Sequence, residues 1–142
     1  MQAEVFLDTA YAIALASPND LFHSQAILLA DRLEAASTRL VTTHAILLEI
    51  GNALSKQRYR NAAVRLLAAL KADPKIEIIP LSEQLYSRAL QLYGERPDKE
   101  WGLTDCVSFI VMQDRGMTEA LTTDEHFQQA GYQALMRESS SS

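Results

Sequence analysis

The chain has 142 residues, 48% of them hydrophobic and 22% charged, with a formal net charge of −5. That size and balance suit one soluble globular domain and exclude disorder through the bulk of the chain. A single cysteine, Cys106, excludes a disulfide scaffold, and no cysteine–histidine cluster suggests structural zinc.

Met1-Gln2-Ala3-Glu4 lacks the basic stretch that opens a signal peptide, and apolar runs such as Ala26 to Ala30 fall far short of the roughly 18 residues of a membrane span. A reducing, cytoplasmic location without membrane attachment is therefore expected. Glu4 to Leu7 reads as a buried strand ending at Asp8, and Thr9 to Ala16 as a brief helix closed by Ser17-Pro18-Asn19-Asp20. Phe22, Ala26, Leu29, Leu33 and Ala36 form one apolar stripe at helical spacing. Arg39 to Thr42 is a second strand. Thr43 then caps a helix through about Gln57, and a further helix covers about Asn61 to Ala72.

Ile76 to Ile79 is a third strand. Ser82 caps a helix to about Tyr93, and Gly94 to Asp98 is a loop. Thr104 opens a strongly apolar helix through Asp114, stopped by Gly116. A strand at Glu119–Thr122, a short helix at Asp124–Ala130 and a fifth strand within Tyr132–Met136 complete the pattern. Strands alternating with helices predict an α/β sandwich around a mostly parallel sheet. Residues 1–137 read as one domain, without a repeat or a splitting linker, and 138–142 as a low-complexity, disordered tail.

The acids are placed unusually. Asp8 and Asp124 each follow a strand, at the carboxyl edge where open parallel sheets bind ligands. Glu49 sits among apolar neighbours in Ala45-Ile46-Leu47-Leu48-Glu49-Ile50-Gly51 and reads as buried, which costs several kcal/mol in round terms unless the charge is paired or neutralised. Asn52, three residues on, shares its helix face. Asp105 lies in the first turn of the apolar helix, close to the core.

Each acid has an ordinary alternative. Asp8 and Asp124 suit helix N-caps, Glu49 could pair with a buried arginine, and Asp105 could be a common first-turn acid. One site holding divalent cations accounts for all four. Clustered carboxylates repel one another, and a divalent cation cancels that repulsion with hard oxygen ligands. Such a site suits phosphodiester hydrolysis, in which metal ions generate hydroxide from water and stabilise the leaving oxygen. His44 and His126 lie nearest the acids along the chain. His126 belongs at the rim or on the surface, while Cys106 and Trp101 belong to packing.

Charge is uneven. Six basic residues against one acid give Lys56 to Lys75 a net +5, leaving −10 on the remainder. A basic patch beside an acidic site suits a polyanionic substrate, although on charge alone a solvated helix face is the favoured account.

Four segments carry a family resemblance: Phe6-Leu7-Asp8-Thr9, Leu48-Glu49-Ile50-Gly51-Asn52, Leu103-Thr104-Asp105-Cys106 and Leu121-Thr122-Thr123-Asp124-Glu125-His126-Phe127. In that order they resemble the acidic motifs of PIN-domain proteins, and Ala130-Gly131-Tyr132 resembles the family's C-terminal segment. The resemblance runs from Val5 to about Leu135. It implies a three-layer α/β/α fold and a ribonuclease dependent on Mg²⁺ or Mn²⁺. Asp8, Glu49, Asp105 and Asp124 would hold the metal, Thr9 and Thr122 would orient them, and Asn52 and Asp98 would support them from outside.

It further implies a toxin of a VapBC-type toxin–antitoxin pair, a homodimer inhibited by a small antitoxin protein. Lys56, Arg58 and Arg60, just past the Glu49 helix, are expected to track the RNA backbone. Two alternatives remain. A phosphatase or phosphoacceptor domain would want a second aspartate at position 10, which is Ala10, or a lysine at a later strand end. A PIN-like interaction module without catalysis would be expected to have lost acids, and all four are present.

Overall fold

Val5, Phe6 and Leu7 are β-prone residues without polar alternation. All three are buried in strand β1 (Glu4–Leu7) of a computed structural model that describes residues 2–137. The tail expected at 138–142 lies outside the described residues. A strand buried on both faces belongs inside a parallel sheet. The chain continues through α1 (Thr9–Ala16), α2 (His23–Ala35), β2 (Arg39–Thr43), α3 (His44–Ala53), α4 (Gln57–Ala72) and β3 (Ile76–Ile79). It then forms α5 (Glu83–Glu95), α6 (Leu103–Arg115), β4 (Glu119–Leu121), α7 (Glu125–Gln129) and β5 (Gln133–Ala134).

The five strands lie in the order β3-β2-β1-β4-β5, and every pairing is parallel. From β1 the chain steps outward to β2 and β3, then crosses back to β4 on the other side of β1. Right-handed crossovers in opposite directions put their helices on opposite faces of the sheet. Accordingly α1 packs on α2 and α3, and α3 on α4, while α5 packs on α6. The reversal leaves a crevice between the carboxyl ends of β1 and β4.

The helix ends follow local chemistry. Thr43 caps α3 by accepting from the Ile46 N–H at 3.2 Å, and Ser82 caps α5 by accepting from the Leu85 N–H at 3.1 Å. Gly116 ends α6 at φ +63°, a left-handed conformation that glycine adopts without Cβ strain. Among the described residues no helix is long and apolar enough to cross a membrane.

Two boundaries differ from the sequence reading. The Glu49 helix stops at Ala53 instead of about Gln57, and the next begins at Gln57 instead of about Asn61. Lys56 is extended (φ −61°, ψ 147°), and Arg60 Nη2 donates to the Ser55 carbonyl at 2.6 Å. A side chain thus holds a carbonyl outside either helix. The fifth strand is only two residues long, because Arg137 N–H turns back to the Ala134 carbonyl.

Candidate active site

Parallel register sets the centre of the site. Leu7 lies opposite Leu121, and the next amide, Asp8 N–H, donates to the Leu121 carbonyl at 3.2 Å. Asp8 and Thr122 therefore emerge side by side. Thr122 Oγ1 donates to Asp8 Oδ2 at 2.6 Å and accepts from the Asp124 N–H at 3.0 Å, so one hydroxyl fixes both strand-end acids. On the other flank, Thr42 Oγ1 donates to the Leu7 carbonyl at 2.9 Å. Asp8 occupies the N-cap position of α1 without making a capping bond there, whereas Asp124 caps α7 by accepting from the His126 N–H at 2.8 Å.

Asp8 is only 7% exposed. Burial pushes its carboxyl up to about 7, and the charges of Glu49 and Asp105 push the same way. Thr122 and the Thr9 backbone oppose the shift without cancelling it. Asp105 is likewise raised, first by burial and then by Asp124, against the stabilising contacts of Gly102 and His126. Its Oδ2 accepts from the Gly102 N–H at 3.0 Å, as a third-position acid does at a helix start. The first-turn role and the place in the cluster therefore coexist.

Glu49 corrects the sequence reading: it is exposed. Helix α3 buries Ala45, Ile46 and Ile50 against the core and turns Leu48, 66% exposed, and Glu49 outward. The apolar neighbours thus did not mean an apolar environment. Glu49 takes no arginine; Thr9 Oγ1 donates to its Oε1 at 2.5 Å. Asn52 is exposed on the same helix, and no hydrogen bond links it to the acids. Asp98 pairs with Arg96 through two bonds of 3.0 Å, outside the groove. Lys56, Arg58 and Arg60 are exposed and carry no ion pair among the described residues; Arg58 lies over the Tyr59 ring at 4.8 Å.

Asp8, Thr9, Glu49 and Asp124 line one open groove of about 510 Å³. Asp20 joins them, held in its turn by accepting from the Phe22 N–H at 2.9 Å. Nothing in Ser17-Pro18-Asn19-Asp20 beyond a turn signal marked it in the sequence. Asp105 is off this wall and joins through His126, whose Nδ1 lies 3.0 Å from Asp105 Oδ2 and 3.4 Å from Asp124 Oδ1. His126, expected at the rim or, in preference, on the surface, bridges Asp105 and Asp124. Trp101 is buried as expected, donating from Nε1 to Gln129 at 3.0 Å.

Two roomier grooves, of about 570 and 700 Å³, lack such a cluster. The first is largely aliphatic, and in the second Arg88 and Asp114 are bonded to each other. The acidic groove is therefore the site with chemistry to offer. Its donor set fits a divalent cation: four carboxylates converge, no lysine or arginine among the described residues is paired with them, and burial raises the Asp8 carboxyl.

A sequence profile of the PIN domain matches residues 5–131. The chain belongs to the PIN-domain family. A curated relative is the 23S rRNA-specific endonuclease VapC20 of Mycobacterium tuberculosis strain H37Rv. It is 27% identical over 129 residues, spanning 90% of this chain and 95% of that protein. The crystal structure of VapC20, described as a Sarcin-Ricin loop cleaving toxin, matches with a TM-score of 0.78 and 26% identity over the same shares of the two chains. VapBC2 of Rickettsia felis, solved bound to a promoter DNA fragment, matches with a TM-score of 0.68 at 15% identity, covering 92% of this chain and 96% of that one. That match bears on the PIN-like fold alone.

Proposed function

We propose that this PIN-domain protein is a metal-dependent ribonuclease that hydrolyses RNA phosphodiester bonds, the toxin of a VapBC-type pair. The observation that carries the reading is the convergence on Asp8: a carboxyl pushed to about 7 in a wall of further acids, with no cationic side chain among the described residues to neutralise it. Asp8, Glu49, Asp105 and Asp124 would hold Mg²⁺ or Mn²⁺. When bound, such an ion supplies Lewis-acid polarisation of the phosphate and a lowered pKa for attacking water.

The chain's own residues do the rest. Asp8 and Asp124 stand on strand ends, where the backbone is most rigid, and Thr122 fixes the carboxylate of one and the backbone of the other. Glu49 commits Oε1 to Thr9 and keeps Oε2 to orient water in the open groove. Lys56, Arg58 and Arg60 attract the RNA backbone, with no acid partner among the described residues to compete for their charge.

Likeness to VapC20 makes a structured ribosomal RNA loop the first substrate to try. A small antitoxin, a cytoplasmic location and a homodimer complete the proposal. Leu48 and Val64, 66% and 60% exposed on α3 and α4, offer apolar surface for the dimer.

The test incubates the chain with ribosomal and mixed RNA pools in Mn²⁺, Mg²⁺ or EDTA, beside Asp8→Asn and Asp124→Asn. Cleavage abolished by EDTA and by both variants supports the reading. Undiminished cleavage by the variants, or none by folded, inhibitor-free protein in either metal, overturns it.

A further inference from the structure

Among the described residues His126 is the one nitrogen donor grouped with these acids. Its Nδ1, Asp105 and Asp124 offer donor atoms that all lie within 4.8 Å of one another. Two donors about 2.1 Å from one cation stand about 3.0 Å apart at right angles and about 3.4 Å apart in a tetrahedron. The observed separations from Nδ1, 3.0 Å to Asp105 Oδ2 and 3.4 Å to Asp124 Oδ1, are those of donors sharing an ion as well as those of a hydrogen-bonded bridge.

The three side chains are placed without help from an ion. Gly102 N–H holds Asp105, and the cap of α7 holds Asp124. Phe127, next to His126, packs edge-on to Phe109 at 5.0 Å and against Phe6 at 6.2 Å. Phe109 lies one turn after Asp105 on α6, so this ring contact sets the gap between Asp105 and His126. Groups held at a fixed spacing by the core are preorganised for binding.

We infer that His126 Nδ1 is a direct ligand of the divalent cation, beside Asp105 and Asp124, and biases the centre toward Mn²⁺ over Mg²⁺. The inference rests on the metal-dependent reading proposed above. Imidazole suits first-row transition ions, whereas Mg²⁺ prefers a near-ideal oxygen octahedron and keeps its waters. As a ligand Nδ1 would offer its lone pair, and the neutral ring would carry its single proton on Nε2. A histidine that merely braced the two carboxylates would treat both ions alike.

The experiment uses the full chain free of any histidine tag, loaded with Mn²⁺ alone. Pulsed electron paramagnetic resonance detects the ¹⁴N coupling of a directly bound imidazole, and calorimetry measures Mn²⁺ and Mg²⁺ affinity in parent and variants. In His126→Gln the amide can still donate to Asp105, so bracing is retained while imidazole ligation is lost. The expected result is ¹⁴N coupling in the parent that is lost in His126→Gln and kept in His44→Gln, since His44 is exposed at the start of α3. Mn²⁺ affinity should fall about tenfold or more in His126→Gln, and Mg²⁺ affinity less than about threefold.

Bound Mn²⁺ without ¹⁴N coupling in the parent, coupling that survives His126→Gln, or equal losses for both ions would overturn the inference and leave the ribonuclease reading standing. Failure of the parent to bind Mn²⁺ would overturn both. The parent spectrum decides even where the variant folds poorly.

Discussion

Replacing Asp8 with asparagine should stabilise the metal-free protein at neutral and higher pH. The folded carboxyl titrates at about 7 against an ordinary 3.8, chiefly because it is buried, with Glu49 and Asp105 adding to the shift. The folded state therefore keeps a proton that the unfolded chain loses, and stability falls as pH rises from about 4 to about 7. At about 1.4 kcal/mol per pH unit, the cost reaches roughly 4 kcal/mol above pH 7 and vanishes near pH 4. Asparagine carries no charge, keeps an oxygen to accept from Thr122, and escapes that cost.

Urea denaturation in EDTA at pH 5 and pH 8 measures the effect, with midpoints converted through the common slope. The stability difference between Asp8→Asn and parent should grow in the variant's favour by about 2–3 kcal/mol from pH 5 to pH 8. Mn²⁺ at a hundredfold excess over the dissociation constant should narrow that gap at pH 8, because the parent gains about 2.7 kcal/mol and the variant far less. A difference that is the same at both pH values would refute the account of Asp8 as an electrostatically strained carboxyl. So would a variant that gains as much from Mn²⁺ as the parent.

Thr122→Val removes the donor to Asp8 and the acceptor for the Asp124 N–H; it should cost about 1–3 kcal/mol in urea denaturation and weaken Mn²⁺ binding, with Thr122→Ser restoring most of both. Arg58→Ala with Arg60→Ala should weaken RNA binding in EDTA and flatten the slope of log affinity against log salt by about 1.4, read by fluorescence anisotropy; an unchanged slope would make the patch bystander charge. Phe127→Ala should cost about 3–5 kcal/mol, because the ring is fully buried against Phe6 and Phe109, and metal binding should weaken with it as Asp124 and His126 lose their support.

The order of strands and helices was legible because buried parallel strands leave short apolar runs, and Thr43, Ser82 and Gly116 mark helix ends by local chemistry. The break at Leu54–Lys56 was not. No glycine or proline stands there, and what the fold shows at the break is the Arg60 guanidinium on the Ser55 carbonyl, a contact without a composition signal. Burial of Glu49 was misread for a related reason. Apolar neighbours show only that some face of a helix is covered, and Leu48 proves to face outward beside Glu49. The strand-end acids were legible because a parallel sheet fixes where its carboxyl ends meet. The bridge from His126 to Asp105 and the place of Asp20 were not, since each reaches the acids through tertiary geometry: one across to α6, the other from the turn before α2.

Under the proposed metal-dependent reading, the same geometry would divide labour among the acids. Asp8 is buried, and its charge is disfavoured first by burial and then by Glu49 and Asp105, so on the metal-dependent reading a cation would gain most there. Glu49 is exposed, held by one hydroxyl, and free to meet solvent and substrate. An even burial of all four carboxylates would leave no group able to orient water, and an even exposure would leave no electrostatic cost to favour metal over solvent. Switching Glu49 to glutamine should therefore lower turnover much more than Mn²⁺ affinity, whereas Asp8→Asn lowers both. Calorimetry alongside single-turnover RNA cleavage separates the two effects, and equal loss of binding in both variants would refute the division.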